Sequence, residues 1–408
     1  MGELKVDVDP AEAGFDAARL KRIDDHFARY VDNGRLPGWL AVVSRHGKIV
    51  HVGSGGHRDV EAGLPVEPDT LWRIFSMTKP ITSVAAMILA EEGLLELDDP
   101  ISQWLPEFAS PRVYVKGSAL KPLTEPATGP IRVWHLLTHT AGLTYGFHHG
   151  HPVDAIYRSA GFEWGTPPGL DLAACSEQWA KLPLLFQPGA EWNYSIATDV
   201  LGRVVEVVSG QSLDEFFQSR IFGPLGMTDT GFFTSATERL AAMYLPDPSG
   251  GIARNDAFGA LGTTRPSCLS GGGGLVSSAS DYRRFSEMLL RGGVLDDVRL
   301  LSPRTVSLMA SNHLPGHVDL EAYGRPLFAE MPFDGHGFGL GFSVLEDPVK
   351  ARTISSAGEF AWGGAASTAF WVDPAADITV GFYTQLLPSS TYRLRPQLRQ
   401  LVYQALVD

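Results

Sequence analysis

Ser76, Lys79 and Tyr194 carry the side chains that could transfer an acyl group. Ser76 and Lys79 stand three positions apart in Phe75-Ser-Met-Thr-Lys-Pro80, so on a helix they share one face, a turn from each other. A serine hydroxyl attacks a carbonyl well only when a neighbouring base takes its proton. An ordinary lysine, with a pKa of about 10.4, is charged at neutral pH and cannot accept that proton. Burial, or a second cationic or hydroxyl partner, has to lower the value. If Ser76 opens a helix, its own amide is among the free N–H groups there, and the helix dipole favours a developing negative charge. A bare Ser-x-x-Lys is common by chance, and a surface capping serine beside an unrelated lysine explains it better until partners are found. Tyr194 is one such partner, because a phenol can pass a proton between a nucleophile and a leaving group. Taken alone, Tyr194 reads more simply as a core residue beside Trp192.

The elements around these residues decide whether they meet. Ile81, Val84, Ala85, Ile88 and Leu89 recur at helical spacing and predict a buried helix over residues 75–95, with Pro80 tolerable only near its start. Pro188-Gly189 is a turn signal and residues 196–209 read as a helix, which places Tyr194 at a loop-to-helix junction. Ahead of these lie a helix over residues 15–33, a buried strand over 39–44, a turn over 45–48 and a returning strand over 49–53. Residues 109–130, rich in Pro, Gly, Thr and Ser, read as an irregular excursion, and 133–137 as a short helix. Residues 145–170 read as a mobile lid-like loop. The last quarter returns to strands at 337–345, 366–372 and 378–384, closed by a helix over 392–407. The architecture expected is α+β: one antiparallel sheet built from both termini and flanked by helices. A single domain spans 1–408, with an α/β lobe of 1–74 and 335–408 and a mainly helical lobe of 75–334 carrying lid-like loops. Ser76 falls at the junction, where pockets often form.

Composition narrows the function. With 44% hydrophobic and 19% charged residues the chain is globular, and its net charge of −13 disfavours nucleic acid or an anionic membrane as a partner. No apolar run approaches the roughly 20 residues of a membrane span. The first residues lack a basic segment followed by an apolar one, so the expectation is a cytoplasmic protein. Cys175 and Cys268 make neither a disulfide framework nor a zinc site. His148, His149 and His151 invite a metal, but no partner follows at ligand spacing. The run Ser270-Gly-Gly-Gly-Gly-Leu-Val lacks the Gly-Lys-Ser/Thr of a phosphate loop and the third glycine of a dinucleotide fingerprint. It reads as structural, with Ser280 or Asp281 capping a helix over 282–290. No metal or organic cofactor is expected.

Ser76-Met-Thr-Lys79, Tyr194-Ser195 and Trp362-Gly-Gly364, in that order, resemble the three signature motifs of serine β-lactamases and penicillin-binding proteins, and their spacing is most like class C β-lactamases. His135-Leu-Leu-Thr-His-Thr-Ala-Gly-Leu143, Pro224-Leu-Gly-Met-Thr228 and residues 271–281 and 337–342 extend the likeness along nearly the whole chain. Two departures matter. Penicillin-recognising enzymes usually have Asn two places after the tyrosine or serine of the second motif, where this chain has Ile196, and a cation or His where it has Trp362. Losing the amide and the cation removes groups that would bind a lactam's amide and carboxylate. The pattern resembles the family VIII carboxylesterases, which share that fold. Gly-x-Ser-x-Gly is absent, so an α/β-hydrolase is not indicated.

The resemblance implies hydrolysis of short- to medium-chain esters, a small-molecule partner, through an acyl-enzyme on Ser76. Lys79 and Tyr194 share the proton, and which is the base stays open because interacting groups titrate together. The backbone amides of Ser76 and Ala365 form the implied oxyanion hole, and Trp362, Gly363 and Gly364 border the substrate. Alternatives are a β-lactamase, a D-amino-acid peptidase or an acyltransferase of the same fold. A non-enzymatic binding module should lack one of Ser76, Lys79 or Tyr194, and all are present.

Overall fold

A computed structural model describes residues 4–325 and 332–407. Both ends of the chain build an eight-stranded sheet among the described residues. The N-terminal part supplies β1 (Gly38–Arg45), β2 (Lys48–Asp59) and β3 (Leu64–Pro65). The C-terminal part supplies β4 (His336–Phe338), β5 (Ser343–Leu345), β6 (Phe360–Gly363), β7 (Ala369–Asp373) and β8 (Ile378–Tyr383). The order is β4-β5-β6-β7-β8-β1-β2-β3, every neighbour antiparallel, so the two termini join where β1 meets β8. Val42 faces Val52 on one side and Gly381 on the other.

β1 is buried at every position, as a strand covered on both faces must be. Its alternate side chains divide between two cores. Trp39, Ala41 and Val43 pack with Phe27 of α1 (Arg22–Asp32) and with Leu398 of the C-terminal helix. Leu40 and Val42 join the larger core, which holds Ile81 of α2 (Thr78–Glu91), Val200 of α3 (Ala197–Ser209) and Tyr282 of α4 (Ala279–Leu290). Every residue of α2 from Thr78 to Leu89 is buried, the mark of a helix enclosed all round. Among the described residues no helix is long and apolar enough to cross a membrane.

Most elements fall where the sequence places them, and the differences have physical causes. The first helix divides into Ala17–Leu20 and α1, with Asp16 accepting the Arg19 N–H as a cap. The excursion at 109–130 contains a hairpin, Arg112–Ser118 with Lys121–Pro126. Its strands are mostly exposed on both faces, so no apolar alternation marks them. The lid tract holds a helix, Pro152–Ser159, with proline in its first turn and Val153 and Tyr157 buried one turn apart. The strand expected at 337–345 is a tight hairpin, β4 and β5, turned by Gly341 at φ +103°. Helix α4 starts earlier than expected, and its cap is Ser278, whose Oγ accepts the Asp281 N–H; Ser280 and Asp281 lie inside the first turn. The closing helix α5 is shorter, Leu394–Tyr403, because Tyr392 is extended and Leu406 instead bridges Phe15.

Candidate active site

Ser76 lies in a short 3-10 turn, Phe75–Met77, that runs directly into α2. The preceding residue, Phe75, has φ +42°, a left-handed conformation costly for a bulky side chain, of the kind that concentrates at functional sites. Its surroundings hold it there. The Ile74 N–H donates to Leu275 O, and the Tyr282 hydroxyl donates to Met77 O at 2.8 Å. Gly364 presses on the same turn, since a Cβ there would stand 2.4 Å from Ile74 O and 2.3 Å from Thr368 Oγ1.

Lys79, one turn along α2, is only 1% exposed. Its Nζ lies 3.2 Å from Ser76 Oγ, 3.0 Å from the Tyr145 hydroxyl and 2.6 Å from Gly272 O. The carbonyl can only accept, so one N–H is committed to Gly272. A neutral amine then has one further N–H for the Tyr145 oxygen and a lone pair for the Ser76 proton. The arrangement can therefore move a proton from serine to lysine.

Tyr194 is brought to the same place by the junction before α3. Its ring centroid lies 4.5 Å from Lys79 Nζ, and its hydroxyl accepts the Trp362 Nε1–H at 3.3 Å. Its carbonyl accepts from His148 Nε2 at 2.7 Å and from Asn193 Nδ2 at 3.2 Å. His139 packs its ring 5.0 Å from that of Tyr194 and bonds Ser195 Oγ through Nδ1. Burial, with Lys79 and His148 nearby, holds the His139 imidazole well below its usual pKa. It is a neutral spacer behind Tyr194.

Three contributors lie outside the sequence reading of the site. Tyr145, taken as the first residue of a loop, is the phenol that bonds Lys79 directly. Burial, with Asp199 and Tyr194 nearby, pushes its pKa well above the usual phenol value, so Tyr145 keeps its proton. The glycine run, read as structural, delivers the Gly272 carbonyl to Lys79. Asp199 braces that run, accepting the Ser270 hydroxyl at 2.5 Å and the Gly272 N–H at 3.0 Å. Burial raises the Asp199 pKa against the opposing pull of Lys79 and these two donors. A Cβ at Gly272 would fall 2.4 Å from Asp199 Oδ2, which explains the glycine. A buried acid five places after Tyr194 was the available signal.

The cavity over Ser76 has a volume of about 430 Å³. Trp362, Gly363, Gly364 and Ala365 line it on the β6 side and Ile196 on the α3 side. Beyond β6 the chain turns tightly, the Gly364 N–H donating to Thr368 O and the Ser367 N–H to Gly364 O. Arg395 secures the turn by donating to Gly364 O and Thr368 O. The three histidines of the lid separate: His148 holds Tyr194, His149 faces Glu163 at 3.6 Å, and His151 accepts the Val153 N–H. Among the described residues no group of three or more His, Cys, Asp or Glu is placed to hold a metal ion.

A serine and lysine on one helix turn, a tyrosine beside them and a glycine-bordered strand opposite define a serine hydrolase of the β-lactamase fold. The beta-lactamase family model matches residues 23–404, and the chain belongs to that family. A Mycobacterium tuberculosis protein is 42% identical over 365 residues, covering 88% of each chain. Esterase EstB of Burkholderia gladioli is 35% identical, covering 97% of this chain and 98% of its own. Among solved structures, EstCE1, described as a hydrolase with promiscuous acyltransferase activity, superposes with a TM-score of 0.79 at 31% identity, over 95% of this chain and 98% of its own. These relatives bear out the family VIII resemblance.

Proposed function

We propose that the protein is a carboxylesterase acting on uncharged esters through an acyl-enzyme on Ser76. The observation that carries this reading is the Ser76–Lys79 contact at 3.2 Å, between a buried lysine and a serine that opens on a cavity where Trp362 and Ile196 replace the polar groups a lactam needs. Ser76 Oγ attacks the ester carbonyl as Lys79 takes its proton, with Tyr194 completing the relay. The amides of Ser76 and Ala365 stabilise the oxyanion, a donor typically contributing about 3 kcal/mol. The C–O bond breaks, the alcohol leaves with the proton, and water attacks the acyl-enzyme to release the acid and restore Ser76.

An acyltransferase reading has its own support. A cavity of about 430 Å³ has room for an acceptor alcohol beside a short acyl-enzyme, and EstCE1 is described as having both activities. Adding an alcohol acceptor and analysing the products separates transfer from hydrolysis.

A chain-length series of p-nitrophenyl esters beside nitrocefin tests the main reading. The esters are expected to turn over with the far larger kcat/KM, and a nitrocefin rate equal to the best ester's refutes it. Trp362→Lys is expected to lower both absolute rates, because it removes the N–H held by Tyr194. It should also shift the ratio toward nitrocefin, since the ammonium attracts the lactam carboxylate while Ile196 still withholds an amide. An unchanged ratio removes Trp362 from the specificity account.

A further inference from the structure

Beyond the Tyr145 hydroxyl that bonds Lys79, the lid carries a column of aromatic rings that the reaction at Ser76 does not use. Tyr145 and Phe147 stack with centroids 4.6 Å apart and planes 19° from parallel. Phe147 and Trp164 continue the stack at 5.0 Å and 15°. Trp164 then meets Phe258, from the helix Asp256–Gly259, edge to face at 6.2 Å and 84°. All four rings line the cavity over Ser76. The column starts at the ring whose hydroxyl bonds Lys79 and ends at Trp164, which is 50% exposed at the rim. Opposite Trp164, the Phe258 loop is fixed from beneath: the buried Arg73 guanidinium donates to Ala241 O and Leu261 O, each at 2.6 Å, and to Gly259 O.

Rings stacked face to face turn their edges to the space beside them. Ring edges carry the positive end of the aromatic quadrupole and attract the negative face of another aromatic ring. A saturated ring of the same size offers no such face and gains only apolar contact. The stacked rings also hold one another in place, so little side-chain freedom is lost when a guest enters. A volume of about 430 Å³ lies in the range of drug-sized ligands and exceeds what a short alkyl ester fills.

Resting on the esterase reading, we infer that the part of the cavity beside the Tyr145–Phe147–Trp164 column, bounded at the rim by the Trp164–Phe258 contact, is a binding site for a flat aromatic group, so that the preferred substrates are esters of aromatic acids or aromatic alcohols. Trp164 and Phe147 are the specificity-determining residues. The aromatic group can enter as the acyl or the alcohol half, and matched esters separate the two. Naphthylmethyl acetate against decahydronaphthylmethyl acetate places the ring in the alcohol. Methyl naphthylacetate against methyl decahydronaphthylacetate places it in the acyl group, and within each pair the leaving groups are of similar reactivity. The aromatic member of at least one pair is expected to have the higher kcat/KM by about tenfold, the scale of an aromatic pair beyond area burial. Trp164→Ala and Phe147→Leu should bring that ratio to within about twofold. Equal rates within both pairs, or an aromatic preference that survives both substitutions, overturn the inference. Titration of naphthylmethanol and decahydronaphthylmethanol into Ser76→Ala reads the site without turnover. Tighter binding of the aromatic alcohol, lost on adding Trp164→Ala, supports the aromatic site even if no ester is hydrolysed, an outcome that sinks only the esterase reading. Equal binding of the two alcohols in a protein that hydrolyses ethyl acetate, with equal rates within both ester pairs, sinks only the aromatic site.

Discussion

At Lys79 Nζ three acceptors meet within 3.2 Å: a serine hydroxyl, a phenol and a carbonyl. The carbonyl fixes the amine's orientation, and the two hydroxyls compete for what is left. Of the two tyrosines, Tyr145 makes the direct bond while Tyr194 lies with its ring against the amine. Their roles should therefore differ. Lys79→Ala and Tyr194→Phe are each expected to lower kcat at least about a hundredfold, the usual worth of a positioned proton-transfer group. Tyr145→Phe, which removes one hydrogen bond to the amine and no relay group, should cost about tenfold. Steady-state kinetics on one p-nitrophenyl ester ranks the three. A Tyr145→Phe loss equal to that of Lys79→Ala would make Tyr145 the proton carrier in place of Tyr194.

The elements that hold these residues were legible in the sequence to different degrees. Helix α2 and the helix after Tyr194 announce themselves through local periodicity and turn signals, and Ser76 with Lys79 needs only one helix turn to pair. Tyr145 meets Lys79 across 66 residues of sequence and Gly272 meets it across 193, contacts that no local pattern encodes. The exposed hairpin Arg112–Ser118 with Lys121–Pro126 was missed because its strands have no buried face to impose alternation. The Trp362-Gly-Gly motif was legible only through the resemblance, and neither its place at the end of strand β6 nor the indole bond to Tyr194 was. The close approach of that strand to the nucleophile turn carries its own test. In Gly364→Ala the new methyl would stand 2.4 Å from Ile74 O, backbone that leads into Phe75 and Ser76. Overpacking of this kind typically costs about 1–3 kcal/mol. The variant should melt several degrees lower and lose at least about tenfold in kcat, because the turn must shift. Unchanged kcat would show that β6 does not set the position of Ser76.

Across the whole molecule, buried titratable groups pull its acid stability in opposite directions. Burial lowers His135 to about 4 and holds His139 well below its usual value. Such groups favour the neutral form in the fold, so their stabilisation is complete above about 6.5 and is lost as pH falls toward 4. Asp281 works the other way. Burial raises it from 3.8 to about 6, so its stabilisation is complete below 3.8 and is lost as pH rises through 6. Between pH 7 and pH 4 the two effects offset. Asp281→Asn can keep the bonds from the Asp229 N–H and the Thr230 hydroxyl while removing the titration. Its unfolding free energy should fall more between pH 7 and pH 4 than that of the unaltered protein, by on the order of 2 kcal/mol. Urea titrations at the two pH values measure this, and parallel behaviour of the two proteins would contradict it.

The account turns on a covalent acyl-enzyme at Ser76. Mixing the protein with a p-nitrophenyl ester, quenching in acid within the first turnovers and mapping peptides by mass spectrometry reads it directly. The predicted result is one acyl group on the peptide containing Ser76, absent from Ser76→Ala, which also loses turnover. An acyl group on another residue, or a Ser76→Ala protein that hydrolyses the ester at the unaltered rate, would contradict it.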